Sequence, residues 1–407
     1  MNFKTLKDFD LKGKTVLLRA DLNVPAKDGK VTDSTRIDRL KPTIAYLVEQ
    51  GAKTLVFSHF GRPKGGPDPE FSLEFLTGPL QKSWGVAVPF AEDCIGPKAK
   101  KLRDSLKPGD IGLLENLRFH KGEEANDKAF VKELAALGDI YINDAFSAAH
   151  RAHASTEGLA HVLPAGAGLL MEAELNALHA ALEKPVHPVA AIVGGAKIST
   201  KLELLGNLIE KTDVLILGGG MANTFLFAQG FNIKKSLCES EMADQARAIM
   251  EKAKKEKCEI ILPVDGVAAA EFKADAPHET CGVNVVPDHH MILDIGPLTV
   301  QNLEKKLGSC KTVVWNGPMG AFELKPFDRG TVELAQFVAK KTKAGKLKSV
   351  AGGGDTVAAL EEAGVVDDFT YVSTAGGAFL EWLEGKTLPG VAALESAESG
   401  QSRVARK

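Results

Sequence analysis

Short, nearly uninterrupted apolar runs recur along this chain, and most of them stop at a glycine or a polar cluster. In the first half they cover residues 15–18, 54–57, 86–90, 111–114 and 140–142. In the second half they cover 189–193, 214–217, 260–264, 291–295, 312–315 and 349–351, with a weaker run at 370–372. Stretches of helical length separate many of them. A strand that is apolar on both faces must be covered on both faces, and intervening helices supply that cover. The pattern predicts an α/β protein with two doubly wound, parallel-sheet (Rossmann-like) domains. In such folds the functional loops lie at the carboxyl ends of the strands.

The boundary between the domains is legible. In residues 171–184, MEAELNALHAALEK, the apolar side chains Met171, Leu175, Leu178 and Leu182 recur at helical spacing, and Pro185 and Pro188 then end the helix. No strand-like run is read in this segment. The expected division is a first domain at 1–170, a linking helix at 171–184 and a second domain at 185–388. A chain of 407 residues exceeds one ordinary core, which agrees with more than one domain.

Composition excludes several classes. A net charge of −3 offers no electrostatic case for nucleic acid or a membrane surface. No apolar run approaches the ~20 residues that span a bilayer. The opening MNFKTLKDFDLKGK lacks the apolar core of a signal peptide, so a cytoplasmic location is expected. Cys94, Cys238, Cys258, Cys281 and Cys310 are odd in number, scattered and outside metal-ligand spacing, and read as reduced, mostly buried thiols.

Charge is distributed unevenly. Seven of the eleven arginines lie in the first 151 residues: Arg19, Arg36, Arg39, Arg62, Arg103, Arg118 and Arg151. A guanidinium matches phosphate and carboxylate oxygens in a planar fork. Three of these arginines follow strand ends beside a histidine. They occur in SHFGRP (58–63, with His59, Phe60, Gly61 and Arg62), ENLRFH (115–120, with Arg118 and His120) and NDAFSAAHRAH (143–153, with His150 and Arg151). Carboxyl ends of strands converge in a doubly wound sheet, so the three together predict a basic pocket. RADLNVP (19–25) adds Asp21 and Asn23, which fit either ligand hydroxyls or a side-chain-stabilised turn. Arg36, in DSTRIDRL, is placed at a helix start capped by Asp33 or Ser34.

The second half carries glycine-rich turns suited to a nucleotide. VGGAKISTK (193–201) sets Lys197 and Lys201 four residues apart, read as one face of a helix start that tolerates their repulsion where phosphate sits. LGGGMANT (217–224) is a second such turn. AGGGDTVAAL (351–360) places Asp355 and Thr356 at another helix start, where the carboxylate serves equally well as an N-cap or as a Mg²⁺ ligand. WNGPMGAFE (315–323) offers Asn316 near phosphate and Glu323 near ribose. The P-loop pattern G-x-x-x-x-G-K-[ST], the dinucleotide fingerprint G-x-G-x-x-G and the H-R-D and D-F-G elements are absent, which argues against the common NTPase, nicotinamide-dependent oxidoreductase and protein-kinase folds. A hinged binding protein of the periplasmic type would need a signal peptide and one ligand, not two.

Nine ordered motifs, RADLNVP, SHFGRP, ENLRFH, NDAFSAAHRAHAS, GGAKISTK, GGGMANTF, WNGPMGAFE, GGGDT and STAGGAFLEWLEGKTLPG, resemble those of the phosphoglycerate kinase family over residues 11–390. Phe60 stands where Leu is more frequent and Ala20 where Val is usual, both conservative changes. The resemblance implies reversible phosphoryl transfer between 1,3-bisphosphoglycerate and ADP with Mg²⁺, in glycolysis and gluconeogenesis, by hinge closure of a monomer. It implies that Asp21, Asn23, Arg36, His59, Phe60, Gly61, Arg62, Arg118 and Arg151 bind phosphoglycerate. Arg36 would lie against the transferring group, Lys197 would guide it, and Gly376 and Gly377 would donate backbone N–H groups to it. Lys201, Asn316, Glu323, Gly353, Gly354 and Thr356 would bind the nucleotide, with Asp355 on the metal. The segment 389–407 would return to the first domain.

Overall fold

The computed structural model describes residues 3–404, with side chains through residue 397. The chain forms two compact units, residues 3–175 with 387–404 and Asn176–Lys386. The helix Leu169–Leu178, continued by a π-helical turn at His179–Glu183, carries the chain from one to the other.

The first unit is built on six parallel strands in the spatial order Phe90–Ala91, Ile111–Leu114, Lys53–Phe57, Thr15–Arg19, Ile140–Asn143 and Ala165–Ala167. Its central strands are apolar on both faces because helices cover both. Val16, Leu18, Val56, Leu113 and Ile142 pack with Leu40, Ile44 and Leu47 from the flanking helices in one buried cluster. Each fully buried side chain of this size stabilises the fold by roughly 1.5–3 kcal/mol. The register pairs Arg19 with Phe57 on one side and with Asn143 on the other. The loops after these three strands therefore emerge side by side. The C-terminal helix Pro389–Val404 belongs to this unit, and Gly390 N–H donates to the Ala149 carbonyl at 2.8 Å.

The second unit also has six parallel strands, in the order Glu259–Ile261, Val214–Leu217, Val189–Val193, Thr312–Asn316, Lys348–Gly352 and Tyr371–Ser373. In chain order these are the third, second, first, fourth, fifth and sixth. The winding reverses between Val189–Val193 and Thr312–Asn316, which opens a crevice at their carboxyl ends. Ile192, Ile216, Val313 and Trp315 of the sheet pack with Leu303, Leu334 and Val338 of its helices.

Three expectations need correction. Beside them, the strand Ala165–Ala167 pairs in parallel with Ile140–Asn143 where no apolar run announces a strand. Its Ala-Gly-Ala sequence has no branched apolar residue to signal it, and its burial comes from packing alone. The run at 291–295 is a strand, Met291–Ile295, but it lies in a separate antiparallel sheet with Asp265–Ala269 and His278–Gly282. Half-exposed strands of mixed polarity, such as HETCG, give little apolar signal. The run at 86–90 yields only Phe90–Ala91, and that at 260–264 is a strand over Glu259–Ile261.

Candidate functional site

In the first unit the loop after Thr15–Arg19 meets the loop after Lys53–Phe57. Asn23 Oδ1 accepts from Gly61 N–H at 2.9 Å, and Leu22 N–H donates to Ser58 Oγ at 2.9 Å. Gly61 has φ +60°, and a Cβ there would come within 2.3 Å of the Phe71 ring. Only glycine lets the chain turn at this point. Asn116, in the next strand-end loop, donates to the carbonyls of Phe60 and Phe71 at 2.8 and 2.9 Å. This scaffold delivers the charged groups. Arg118 donates to the Gly61 carbonyl at 2.8 Å, and Arg36 Nη1 to the Asn23 carbonyl at 2.7 Å. Arg36 reaches there from the helix Thr35–Arg39, whose start is held by Asp33 Oδ1 accepting from Thr35 N–H at 2.8 Å, with no side-chain cap from Ser34. Arg151 contacts His150 at 3.3 Å.

His59 is the common neighbour of these groups. Its pKa is driven well below the ordinary value, first by burial and then by the positive charges of Arg19, Arg118, Arg151 and Arg36. The cationic groups thus gather without enough carboxylate to neutralise them. Four guanidinium groups face three carboxylates: Arg118 has Glu124 at 3.4 Å, Arg36 has Asp21 at 3.1 Å, and Glu123 acts on Arg19 and Arg118. Such an excess of partly buried positive charge is unfavourable until an anion enters.

The histidine pairing expected from the sequence holds only in part. His120 points away to Asp93, with Nε2 to Oδ1 at 2.7 Å. His59 is bonded to Arg19, not to Arg62, which is exposed and makes no side-chain hydrogen bond to a described residue. His153, unassigned from sequence, feels Arg118, Arg151 and Arg19, and with burial foremost its pKa falls to about 4. Arg19 is a second residue that the motifs leave without a role, although a charged residue ending the apolar strand TVLLR is a signal that it is buried for a purpose.

In the second unit the glycine loops meet at the winding reversal. Gly194 N–H donates to the Asn316 carbonyl at 2.9 Å, and Met221 N–H donates to the Gly195 carbonyl at 3.0 Å. A Cβ on Gly194 would lie 1.7 Å from the Pro318 carbonyl oxygen. Lys197 and Lys201 do not share a helix face. The helix is Leu202–Lys211, with Lys201 at its N-cap position, and Lys197 lies in the preceding loop. Buried Ile198 and the bonds of Ser199 to Glu239 pin that loop in a non-helical path. Lys201 donates to Asn316 Oδ1, while Lys197 is exposed and has no side-chain hydrogen bond to a described residue. Burial lowers the Lys201 pKa, opposed by Glu384 and Asp355. Asn316 also donates to the Gly352 carbonyl at 2.8 Å, and the Thr356 hydroxyl accepts from Gly317 N–H at 2.7 Å.

Asp355 is not an N-cap. Gly353 caps the helix Gly354–Glu362, and Asp355 sits exposed in its first turn without a side-chain cap bond. A cavity of about 670 Å³ opens beside it. Gly195, Gly219 and Gly220 line one end, Leu226, Phe272, Met291 and Ile292 give it apolar walls, and Glu323 and Asp355 border it. The volume and mixed lining suit a flat heterocycle joined to a polar tail. Gly376, with φ +50°, precedes the helix Gly377–Leu383 in the same unit.

The chain is an α/β protein that gathers guanidinium groups at strand ends in one unit and opens a glycine-lined cavity in the other. The family model for phosphoglycerate kinase matches residues 6–386. Phosphoglycerate kinases of Rhodospirillum centenum and Brucella abortus are each 62% identical to the chain, covering 97% of it and 100% of their own length. The solved phosphoglycerate kinase of Coxiella burnetii superposes with a TM-score of 0.91 at 45% identity, covering 97% of this chain and 99% of that one. That of Pyrococcus horikoshii gives 0.81 at 32% identity, with the same coverage of each. The chain belongs to the phosphoglycerate kinase family. It is a phosphotransferase with a carboxyl-group acceptor, acting in glycolysis. No helix among the described residues is long and apolar enough to cross a membrane.

Proposed function

We propose that the first unit binds phosphoglycerate through Asp21, Asn23, Arg36, His59, Phe60, Gly61, Arg62, Arg118 and Arg151. The second unit binds ADP or ATP through Lys201, Asn316, Glu323, Gly353, Gly354, Asp355 and Thr356. The observation that carries this reading is the gathering of four guanidinium groups around His59. A triose bearing a phosphate and a carboxylate supplies the negative charge that this pocket lacks.

An acyl phosphate needs no general base when a nucleotide phosphate attacks it. Alignment and charge stabilisation are what the protein must add. Arg118 and Arg151 anchor the stationary end of the triose. Arg36 and Lys197 meet the phosphoryl group in flight, and Gly376 and Gly377 donate backbone N–H groups to it. Lys201, tied to Asn316, receives nucleotide phosphates.

Asp355 fits a divalent cation. It is an exposed oxygen donor at the border of the cavity, beside Lys201, and it is not used as a cap. Mg²⁺ held by a carboxylate and nucleotide phosphates would neutralise charge on the β- and γ-phosphate oxygens. The two ligand sets fall in separate units, and we infer that transfer proceeds when the units close over both substrates. One chain carries both sets, so a monomer suffices, and five unbridged cysteines accord with a reducing cytoplasm.

A coupled assay of ATP consumption with 3-phosphoglycerate tests the reading. Arg118→Ala should raise KM for phosphoglycerate about 10- to 100-fold, the equivalent of losing one charged hydrogen bond, with turnover less affected. An unchanged KM would remove Arg118 from the pocket.

A further inference from the structure

Arg19 ends the strand Thr15–Arg19 and is 1% exposed. Each side of its guanidinium is engaged. Nε donates to Ser155 Oγ at 2.8 Å, Nη1 donates to the Ala20 carbonyl, and Nη2 lies 2.9 Å from His59 Nδ1. Ser155 is itself locked. Its hydroxyl donates to Glu123 Oε1 at 2.5 Å, and its N–H donates to Glu123 Oε2 at 3.0 Å. Glu123 is 0% exposed.

A guanidinium has five N–H donors and no acceptor, and it stays protonated in proteins. The nitrogen it faces must therefore accept. His59 Nδ1 can accept only when it carries no proton. The alternative tautomer and the imidazolium would each set an N–H against the N–H of a buried arginine. Neutral His59 thus carries its proton on Nε2, the ring nitrogen not engaged by Arg19.

The structure assigns Arg19 as a positioning residue that holds His59 in the Nε2–H form, so that the imidazole offers the phosphoglycerate a neutral hydrogen-bond donor instead of a positive charge. The ligand group it suits is an oxygen of the triose: carboxylate, hydroxyl or phosphate. Burial and the surrounding guanidinium groups, which all disfavour a charged ring, act in the same direction. The assignment rests on the reading that this pocket binds phosphoglycerate. It explains why a fully buried arginine ends a sheet strand when exposed arginines would suffice to attract an anion. The cost of burying that charge is met by Glu123 through Ser155, and it secures one tautomer of one ring.

Long-range ¹H–¹⁵N spectra of the histidine rings in the uniformly ¹⁵N-labelled full chain, without ligand at pH 7, read the tautomer directly. His59 is identified by the signals lost in His59→Gln. The expected pattern is an unprotonated Nδ1 and a protonated Nε2, with the Nε2 signal moving on addition of 3-phosphoglycerate. A protonated Nδ1 overturns the proposal whether or not phosphoglycerate binds. An Nε2–H ring that phosphoglycerate leaves unmoved overturns instead the site reading on which the proposal rests. Because Arg19 variants risk misfolding, kinetics of two His59 variants give a second readout. Glutamine can place an amide N–H near the Nε2 position, whereas asparagine mimics only Nδ1. KM for phosphoglycerate should rise only a few-fold in His59→Gln and roughly ten-fold or more in His59→Asn. The reverse order overturns the proposal.

Discussion

Arg36 Nη1 lies 3.1 Å from Asp21 Oδ2, and the Ser147 hydroxyl donates to that same oxygen at 2.5 Å. The arginine thus extends from its own helix onto the loop that follows the first strand. Asp21, which the sequence left open between a turn residue and a ligand residue, holds Arg36 in place. Arg36→Ala should lower turnover about 10²–10³-fold, the loss expected of one charge-stabilising donor at a developing anion. KM for phosphoglycerate should change much less. Arg36→Lys should rescue little, since an ammonium lacks the planar fork that spans two oxygens. Steady-state kinetics decide this, and near-normal turnover of Arg36→Ala at saturating substrate would refute it.

Lys197 and Lys201 should separate kinetically, because the structure treats them differently. Lys201 is half-buried and tied to Asn316, whereas Lys197 is exposed on a loop. A preorganised cation serves ground-state binding, so Lys201→Ala should raise KM for nucleotide roughly ten-fold or more. A cation left unengaged in the ground state can act where charge develops, so Lys197→Ala should lower turnover about 10²-fold with nucleotide affinity nearly kept. Titration calorimetry with ADP alongside kinetics distinguishes the two. Weakened ADP binding with unchanged turnover in Lys197→Ala would reassign it.

Gly194→Ala should be severely destabilising. The new methyl would lie 1.7 Å from the Pro318 carbonyl oxygen, with Gly317 backbone behind it, so no side chain can yield. A loss above about 4 kcal/mol, exceptional for one methyl, is expected from such a clash. Gly354→Ala serves as the control, since nothing lies within 4 Å of its Cβ position and its φ is ordinary. Urea unfolding should show a large drop in midpoint for the first and almost none for the second. Equal midpoints would mean that the two glycine loops separate in solution.

Stability should respond to pH through groups of opposite sign. His153 has its pKa lowered from 6.5 to about 4 in the folded chain. Its contribution is complete above pH 6.5 and is lost as pH falls toward 4, because the unfolded chain takes up the proton first. Asp294, raised from 3.8 to about 8 by burial, works the other way. Its contribution is present below pH 3.8 and is lost as pH rises through 8. His153→Gln should therefore flatten the acid limb between pH 6.5 and 4 without changing the alkaline side. Urea midpoints across pH 4–8 measure this, and parallel curves for the two proteins would show that His153 does not titrate as described.

Local pattern decided the longer parallel strands, not Ala165–Ala167, whose small residues carry no such signal. A run such as TVLLR or VAAIV is stable in water only when covered on both faces, and this condition can be read one segment at a time. The antiparallel strand His278–Gly282 gives no local signal because it is exposed and mixed, and Asp265–Ala269, though mostly buried, because DGVAA holds a single branched apolar residue; long-range pairing makes both strands. The same division holds at the sites. Asp21, His59, Arg118 and Lys201 were visible because each sits just beyond an apolar run or in a glycine turn.

The class of fold, the loops that carry the chemistry and the family were all legible in the chain's local pattern. Each of these depends on residue type at short range. The tertiary structure alone decided how those residues are used. It turned His120 to Asp93, set Lys197 and Lys201 off any common helix face, and relieved Asp355 of capping. It also brought Arg19 and His59, 40 residues apart, within 2.9 Å, with Ser155 and Glu123 behind them. Hydrogen-bond direction, tautomer and burial depend on groups that meet only through sheet register. That register is set by the packing of the whole unit, so no local stretch of sequence contains it.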